Sequence, residues 1–166
     1  RVTDNAGRST TVSTSAVVAY QNVYVSSSGN DSSGNGSSSK PYATIAKAYT
    51  KVKSGGSVIL LSNLTQTSQA NFNTSGKSVT LKSNGSSIYT ITRGSGLTSG
   101  SIISFYNSST TTVSNIKFNG NNVSASKPLL ISSGSATVNL NSGVTVQNAL
   151  NTATYSGGGF AVVSGS

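Results

Sequence analysis

The chain has 166 residues and a formal net charge of +9, with eleven Lys and Arg against two acidic side chains and no His or Cys. Both acids, Asp4 and Asp31, lie within the first 31 residues. That composition excludes disulfides and thiol chemistry, and it removes most acid–base, glycosidic and redox catalysis, which needs His or facing carboxylates held against a substrate. A hard-cation site wants several oxygen ligands with charged ones among them. The expectation is therefore no enzyme, no catalytic residue, no cofactor and no metal, with a Ser–Lys pair left open by composition alone.

Hydrophobic residues make up 34% of the chain and charged residues 8%; Ser, Thr, Asn and 18 Gly supply the polarity, which is the usage of an extracellular β-rich protein. The basic residues are spread singly from Arg1 to Lys127, and only Lys47, Lys51 and Lys53 sit close together. No nucleic-acid motif accompanies them, so a solvated basic surface is expected, or weak attraction to anionic glycans, teichoic acids or membrane surfaces; nucleic acid is not an expected partner. No run of 18 apolar residues exists, so no membrane insertion is expected, and the opening RVTDNAGRST is unlike a signal peptide. An export signal would lie outside the chain, which suggests a piece of a larger secreted or cell-surface protein.

Residues 1–20 read as two strands around the turn Asp4-Asn5-Ala6-Gly7, followed by Thr11, Val12 and an apolar run from Ala16 to Tyr20. The string VTDNAGRSTT resembles the closing hairpin of bacterial immunoglobulin-like domains, and the resemblance implies either the end of such a domain or a donated strand. Residues 21–25 form a short strand and 26–39 a Ser/Gly/Asn loop. A helix is expected over about 44–53, with Thr44 as N-cap, Ile45, Ala48, Tyr49 and Val52 on one face, and Gly55-Gly56 as its stop. Short alternating strands follow: SVILLSN from Ser57, SVTLKSN from Ser78, IYTIT from Ile88, SIISFY from Ser101, TVSNIKFNGN from Thr112, PLLI from Pro128, TVNLNSG from Thr137, VTVQN from Val144 and GFAVV from Gly159. The first two share S-V-x-L-x-S-N at a spacing of 21, close to one coil of a parallel solenoid.

The run VYVSSSGNDSSGNGSSSKPYATIAKAYTKVKSGGSVILLSN resembles the opening of right-handed parallel β-helix proteins of the pectate-lyase-like superfamily. Those proteins open with a strand, a polar loop, a P-[FY]-x-T-I helix that plugs the solenoid, and a G-G-x-[VI] coil strand. VSNIKFNGNN resembles a later coil of that superfamily, and NALNTATYSGGGFAVVSG resembles the coils of bacterial surface β-helix repeats. The resemblance implies an all-β chain, a right-handed parallel β-helix over 21–166 with one short N-terminal capping α-helix. The clustered aspartates that serve the superfamily's enzymes have no counterpart here beyond Asp31, so the resemblance carries no activity with it.

Gly29-Asn30-Asp31 with Asn35-Gly36 leaves Asp31 and Asn35 as weak metal candidates, against a plain polar loop. Tyr20, Tyr24, Tyr89, Tyr106 and Tyr155 could stack on sugar rings if they share an exposed face, and Tyr89, Tyr106 and Tyr155 are the chosen glycan contacts; aromatic residues in strands more often pack on neighbours. Val12, Val17 and Val18 at one end and Phe160 and Val162 at the other are candidate assembly edges. The expected function is a non-enzymatic structural or adhesive module at the cell surface whose partner is itself, end to end or by strand donation, or a cell-surface polysaccharide. The alternatives are a carbohydrate-binding β-helix, or a fragment of a polysaccharide-degrading enzyme, which would place Asp31 in a cleft.

Overall fold

The computed structural model describes residues 2–3, 9–10, 19–152 and 158–163. Strands β1 (Val2–Thr3) and β2 (Ser9–Thr10) pair antiparallel, with Val2 opposite Thr10. All other strand pairs are parallel, and one helix occurs among the described residues, so the chain is mostly β with parallel sheets.

Strand β3 (Tyr20–Val25) leads into the loop and then into helix α1 (Ile45–Lys51). The loop is tied to the outer edge of β3: Gly36 O accepts from Tyr24 N–H, Tyr24 O from Tyr42 N–H, and Tyr42 O from Ser26 N–H. Thr44 caps α1 in an extended conformation, its Oγ1 accepting from Lys47 N–H at 3.1 Å, and Ile45, Ala48 and Tyr49 form the buried face. The helix ends earlier than the glycine pair predicts. Val52 is already extended, closes the last turn through its N–H to Ala48 O, and pairs with Tyr20 as the first residue of β4 (Val52–Leu60). Gly55 and Gly56 sit inside that strand and make a bulge. Tyr20 faces Val52 and Asn22 faces Ser57, so extra residues of β4 loop out while Gly55 takes φ +79. A Cβ on Gly56 would lie 2.5 Å from Gln21 O, so the bulge also needs a residue without a side chain there.

From β4 onward the chain makes four passages, each laying one strand in each of three sheets. The first continues through β5 (Leu64–Gln66) and β6 (Ala70–Phe72); the second is β7 (Ser78–Ser83), β8 (Tyr89–Arg93) and β9 (Ile103–Phe105). The third is β10 (Thr110–Ser114), β11 (Ile116–Asn119), β12 (Ser124–Ala125) and β13 (Leu130–Ser133). The fourth is β14 (Thr137–Leu140), β15 (Thr145–Gln147), β16 (Leu150–Asn151) and β17 (Phe160–Val163). The sheet orders are β14-β10-β7-β4-β3, β15-β11-β8-β5 and β17-β13-β9-β6, with β12-β16 as a small extra pair.

Register stacks like on like. Val23, Val58, Leu81, Val113 and Leu140 form one inward column, Leu64, Ile91, Phe118 and Val146 a second, and Ala70, Ile103, Leu130 and Phe160 a third. Phe72 and Phe105 are edge to face at 5.6 Å, and Tyr49 of α1 stacks on Phe72 at 4.1 Å, so the helix closes the first-passage end of the core. Each such buried side chain contributes about 1.5–3 kcal/mol.

Two readings of the sequence are corrected in register. The spacing-21 repeat is not the pairing, because Val58 lies opposite Leu81 and Gly56 opposite Val79, an offset of 23. A slip of two residues keeps every side chain on its face, so the hydrophobic pattern cannot detect it. TVSNIKFNGN is two strands, not one: Asn115, at φ 53, turns the chain from β10 into β11 in another sheet. Asn tolerates that left-handed conformation better than other side chains.

Candidate functional site: an open strand edge

The inward columns are sealed at one end of the strand stack and open at the other. In the first column Val113 is fully buried while its neighbour Leu140 is 41% exposed. In the column Phe72, Phe105, Ser132 and Val162, the phenylalanines are fully buried and Val162 is 75% exposed. Leu150 and Val163 of the same passage, 46% and 47% exposed, lie instead on the outward face, Leu150 beside the exposed Ser124 and Val163 alternating with Val162. The first passage shows no such gradient, since Val58, Ala70 and Phe72 are fully buried under β3 and α1.

Among the described residues β14, β15 and β17 are the terminal strands of the three larger sheets, so each presents a row of backbone donors and acceptors along its outer edge. Edge strands are ordinarily protected by Lys, Pro or inward-pointing charge. Here no Lys, Arg, Asp, Glu or Pro follows Pro128, while all eleven basic residues lie between Arg1 and Lys127. An uncharged face with exposed apolar side chains can take a further strand layer without desolvating a charge.

Of the sequence's candidate edges, Phe160 and Val162 belong to this face; Phe160 is only partly buried against the core. Val12, Val17 and Val18 lie outside the described residues, as does Tyr155. Leu140 was not singled out. The halt of all charge at Lys127 is the sequence signal that points to it.

The remaining candidates separate. Asp31 Oδ1 accepts from the N–H groups of Ala43 (2.8 Å) and Thr44 (3.1 Å), and Oδ2 accepts from Thr44 Oγ1 at 2.6 Å. The carboxylate thereby orders the residues that start α1, and its negative charge suits a helix N-terminus. Asn35 Oδ1 accepts from Ser37 N–H at 3.0 Å, an ordinary polar turn. A depression of about 250 Å³ over this loop is lined by Ser28, Asn30, Ser33, Ser39 and Lys40 among others, and Asp31 does not line it. Among the described residues no group of three or more His, Cys, Asp or Glu comes together.

Tyr89 shares the inward face of β8 with Ile91 and packs against the core, whereas Tyr106 follows β9 in a different sheet. The two rings form no common platform. Tyr20 and Tyr24 do project from one face of β3.

Two cations are buried, which the sequence reading did not anticipate. Lys77 Nζ donates to Tyr49 O at 2.5 Å and sits 4.3 Å from the centre of the Tyr49 ring, and burial pulls its pKa below 10.5. Arg93 follows Tyr89 and Ile91 on the inward face, and its Nη2 donates to the carbonyls of Gly100 (3.0 Å), Lys127 (3.0 Å) and Pro128 (2.9 Å). Burial lowers the guanidinium pKa, and Nε has no hydrogen-bond partner among the described residues. Arg93 thus staples two passages together from inside. The i, i+2, i+4 spacing of Tyr89, Ile91 and Arg93 was the available clue.

No protein-family model, curated protein or solved structure matches the chain.

Proposed function

We propose that the chain is a right-handed parallel β-helix that serves as a non-enzymatic structural and adhesive module of a secreted or cell-surface protein, assembling with copies of itself through the edge of its last passage. The β-helix reading is supported by the repeated visit to three parallel sheets in a constant order. Right-handed winding follows because crossovers between parallel strands of one sheet are right-handed in about 98% of cases. A stiff rod whose contacts run from passage to passage suits projection or scaffolding. The non-enzymatic reading is supported by Asp31, whose two carboxylate oxygens are both spent on ordering the start of α1.

The observation that carries the assembly is the exposure of inward side chains on the last described passage, with Val113 buried and Leu140 41% exposed beside it, on a face free of charge. With α1 packed over the first passage, the proposed contact joins the last described passages of two copies, an isologous two-fold arrangement that closes as a dimer. Sedimentation velocity over a concentration series tests this. A dimer that the Leu140→Lys/Val162→Lys double variant converts to monomer, at unchanged far-ultraviolet circular dichroism, is expected. A wild-type chain that stays monomeric throughout, or a double variant that assembles equally well, would overturn the proposal.

A further inference from the structure

We propose that the depression beside β3 binds a neutral oligosaccharide. Tyr20, Asn22 and Tyr24 are alternate residues of one strand and so share a face. With Asn35, Ser37 and Ser38 of the following loop they enclose about 340 Å³, open to solvent and 39% exposed at Tyr20. The two tyrosines are four residues apart, roughly 13 Å along the strand, farther than one pyranose ring extends. A chain of several sugars can therefore lay one ring on each tyrosine, and the amides and hydroxyls between and beside them can exchange hydrogen bonds with its hydroxyl groups.

The charge of the lining selects the sugar class. The protein carries +9 overall, yet this depression is lined only by Tyr, Asn, Ser and Gly. A site for an anionic polymer would place Lys or Arg in the wall; this one offers no counter-charge, so the ligand is neutral. An extended peptide added to the edge of β3 is disfavoured by the same loop, because the N–H and C=O of Tyr24 are already bonded to Gly36 and Tyr42. Gly36 holds that wall in place: it has φ +80, and a Cβ there would lie 2.7 Å from the Tyr42 ring.

The site lies on β3, far in sequence from the assembly edge, and does not depend on it. The test is a titration of the isotopically labelled chain, followed by amide chemical shifts, with hexasaccharides of glucose, mannose, xylose and N-acetylglucosamine. Oligogalacturonate and an extended proline-rich peptide serve as the anionic and peptide probes. Expected are shifts confined to residues 20–24 and 35–38 with at least one neutral sugar, insensitive to salt. Tyr20→Ala and Tyr24→Ala each weaken that binding about fivefold or more, Tyr20→Phe changes it less than about twofold, and the exposed Asn22→Ala variant gives a fold-neutral loss. Several outcomes would overturn the inference: no neutral sugar shifting these residues at millimolar concentration, binding that survives Tyr20→Ala, a salt-sensitive preference for oligogalacturonate, or a response to the peptide alone.

Discussion

Replacing Asp31 by Ala removes three hydrogen bonds at once and leaves the Ala43 and Thr44 amides and the Thr44 hydroxyl without their acceptor. Hydrogen bonds to a charged group are worth about 1.5–3 kcal/mol each in isolation. They share one partly buried carboxylate, so the total falls well short of additivity, and the expected loss is roughly 3 kcal/mol. Asp31→Asn keeps an oxygen for the two amides but gives up the charge and turns a donor toward Thr44 Oγ1, for a loss of roughly 1 kcal/mol. Urea unfolding followed by circular dichroism at constant m-value reads both numbers directly. Because Thr44 in turn caps α1, and α1 closes the core through Tyr49 on Phe72, the damage should appear first as increased amide exchange in 45–51. An Asp31→Ala variant within about 0.5 kcal/mol of wild type would refute this reading of the carboxylate. So would a Ca2+-dependent rise in Tm that Asp31→Ala abolishes, since Asp31 would then be a metal ligand.

Other consequences follow from individual side chains. Lys77, with a folded pKa held below 10.5 by burial, binds fewer protons in the native state than in the unfolded state over that interval, so stability rises with pH there. Tyr42, raised above 10.0 chiefly by burial, acts oppositely: its contribution is complete below pH 10.0 and is lost as pH climbs through the raised value. Thermal unfolding from neutral pH to 10.0 should therefore show rising stability in wild type and a flat profile in Lys77→Met; a rise that persists in Lys77→Met would assign it elsewhere. Phe72→Ala opens a cavity between Tyr49 and Phe105 and should cost about 3–5 kcal/mol by denaturant unfolding, with a cost under about 1.5 kcal/mol contradicting the packing described. At Asn115, φ 53, substitution by Val should lose about 1–2 kcal/mol and substitution by Gly little, while equal losses would show that the corner does not require the left-handed conformation.

The alternating strands were legible because one face of each is buried, and Val79, Leu81, Val113 and Phe118 sit where alternation puts them. The helix was legible from its cap and its Ile45, Ala48, Tyr49 face, but its end was not, since Val52 was free to read as a last helical residue until β3 offered it a partner. Strands β5, β6, β12 and β16 were missed because each has only two or three paired residues and polar neighbours. Their conformation comes from the strands on either side. Arg93 and Lys77 looked like surface charge; their burial depends on carbonyls and a ring brought from distant positions, which no local pattern encodes. The exposed inward residues of the last passage form a face only once four passages are in register.

The most direct test of the assembly uses the absence of native cysteine. A nitroxide placed through Thr145→Cys, on the outer face of β15, reports the last passage, and one placed through the exposed Thr50→Cys on α1 reports the opposite end. Electron–electron dipolar spectroscopy on each singly labelled chain then measures the distance between copies. A two-fold contact through the last passage predicts a short, narrow distance for Thr145→Cys and a long one for Thr50→Cys. No coupling at Thr145→Cys, or a short distance at Thr50→Cys, would contradict it.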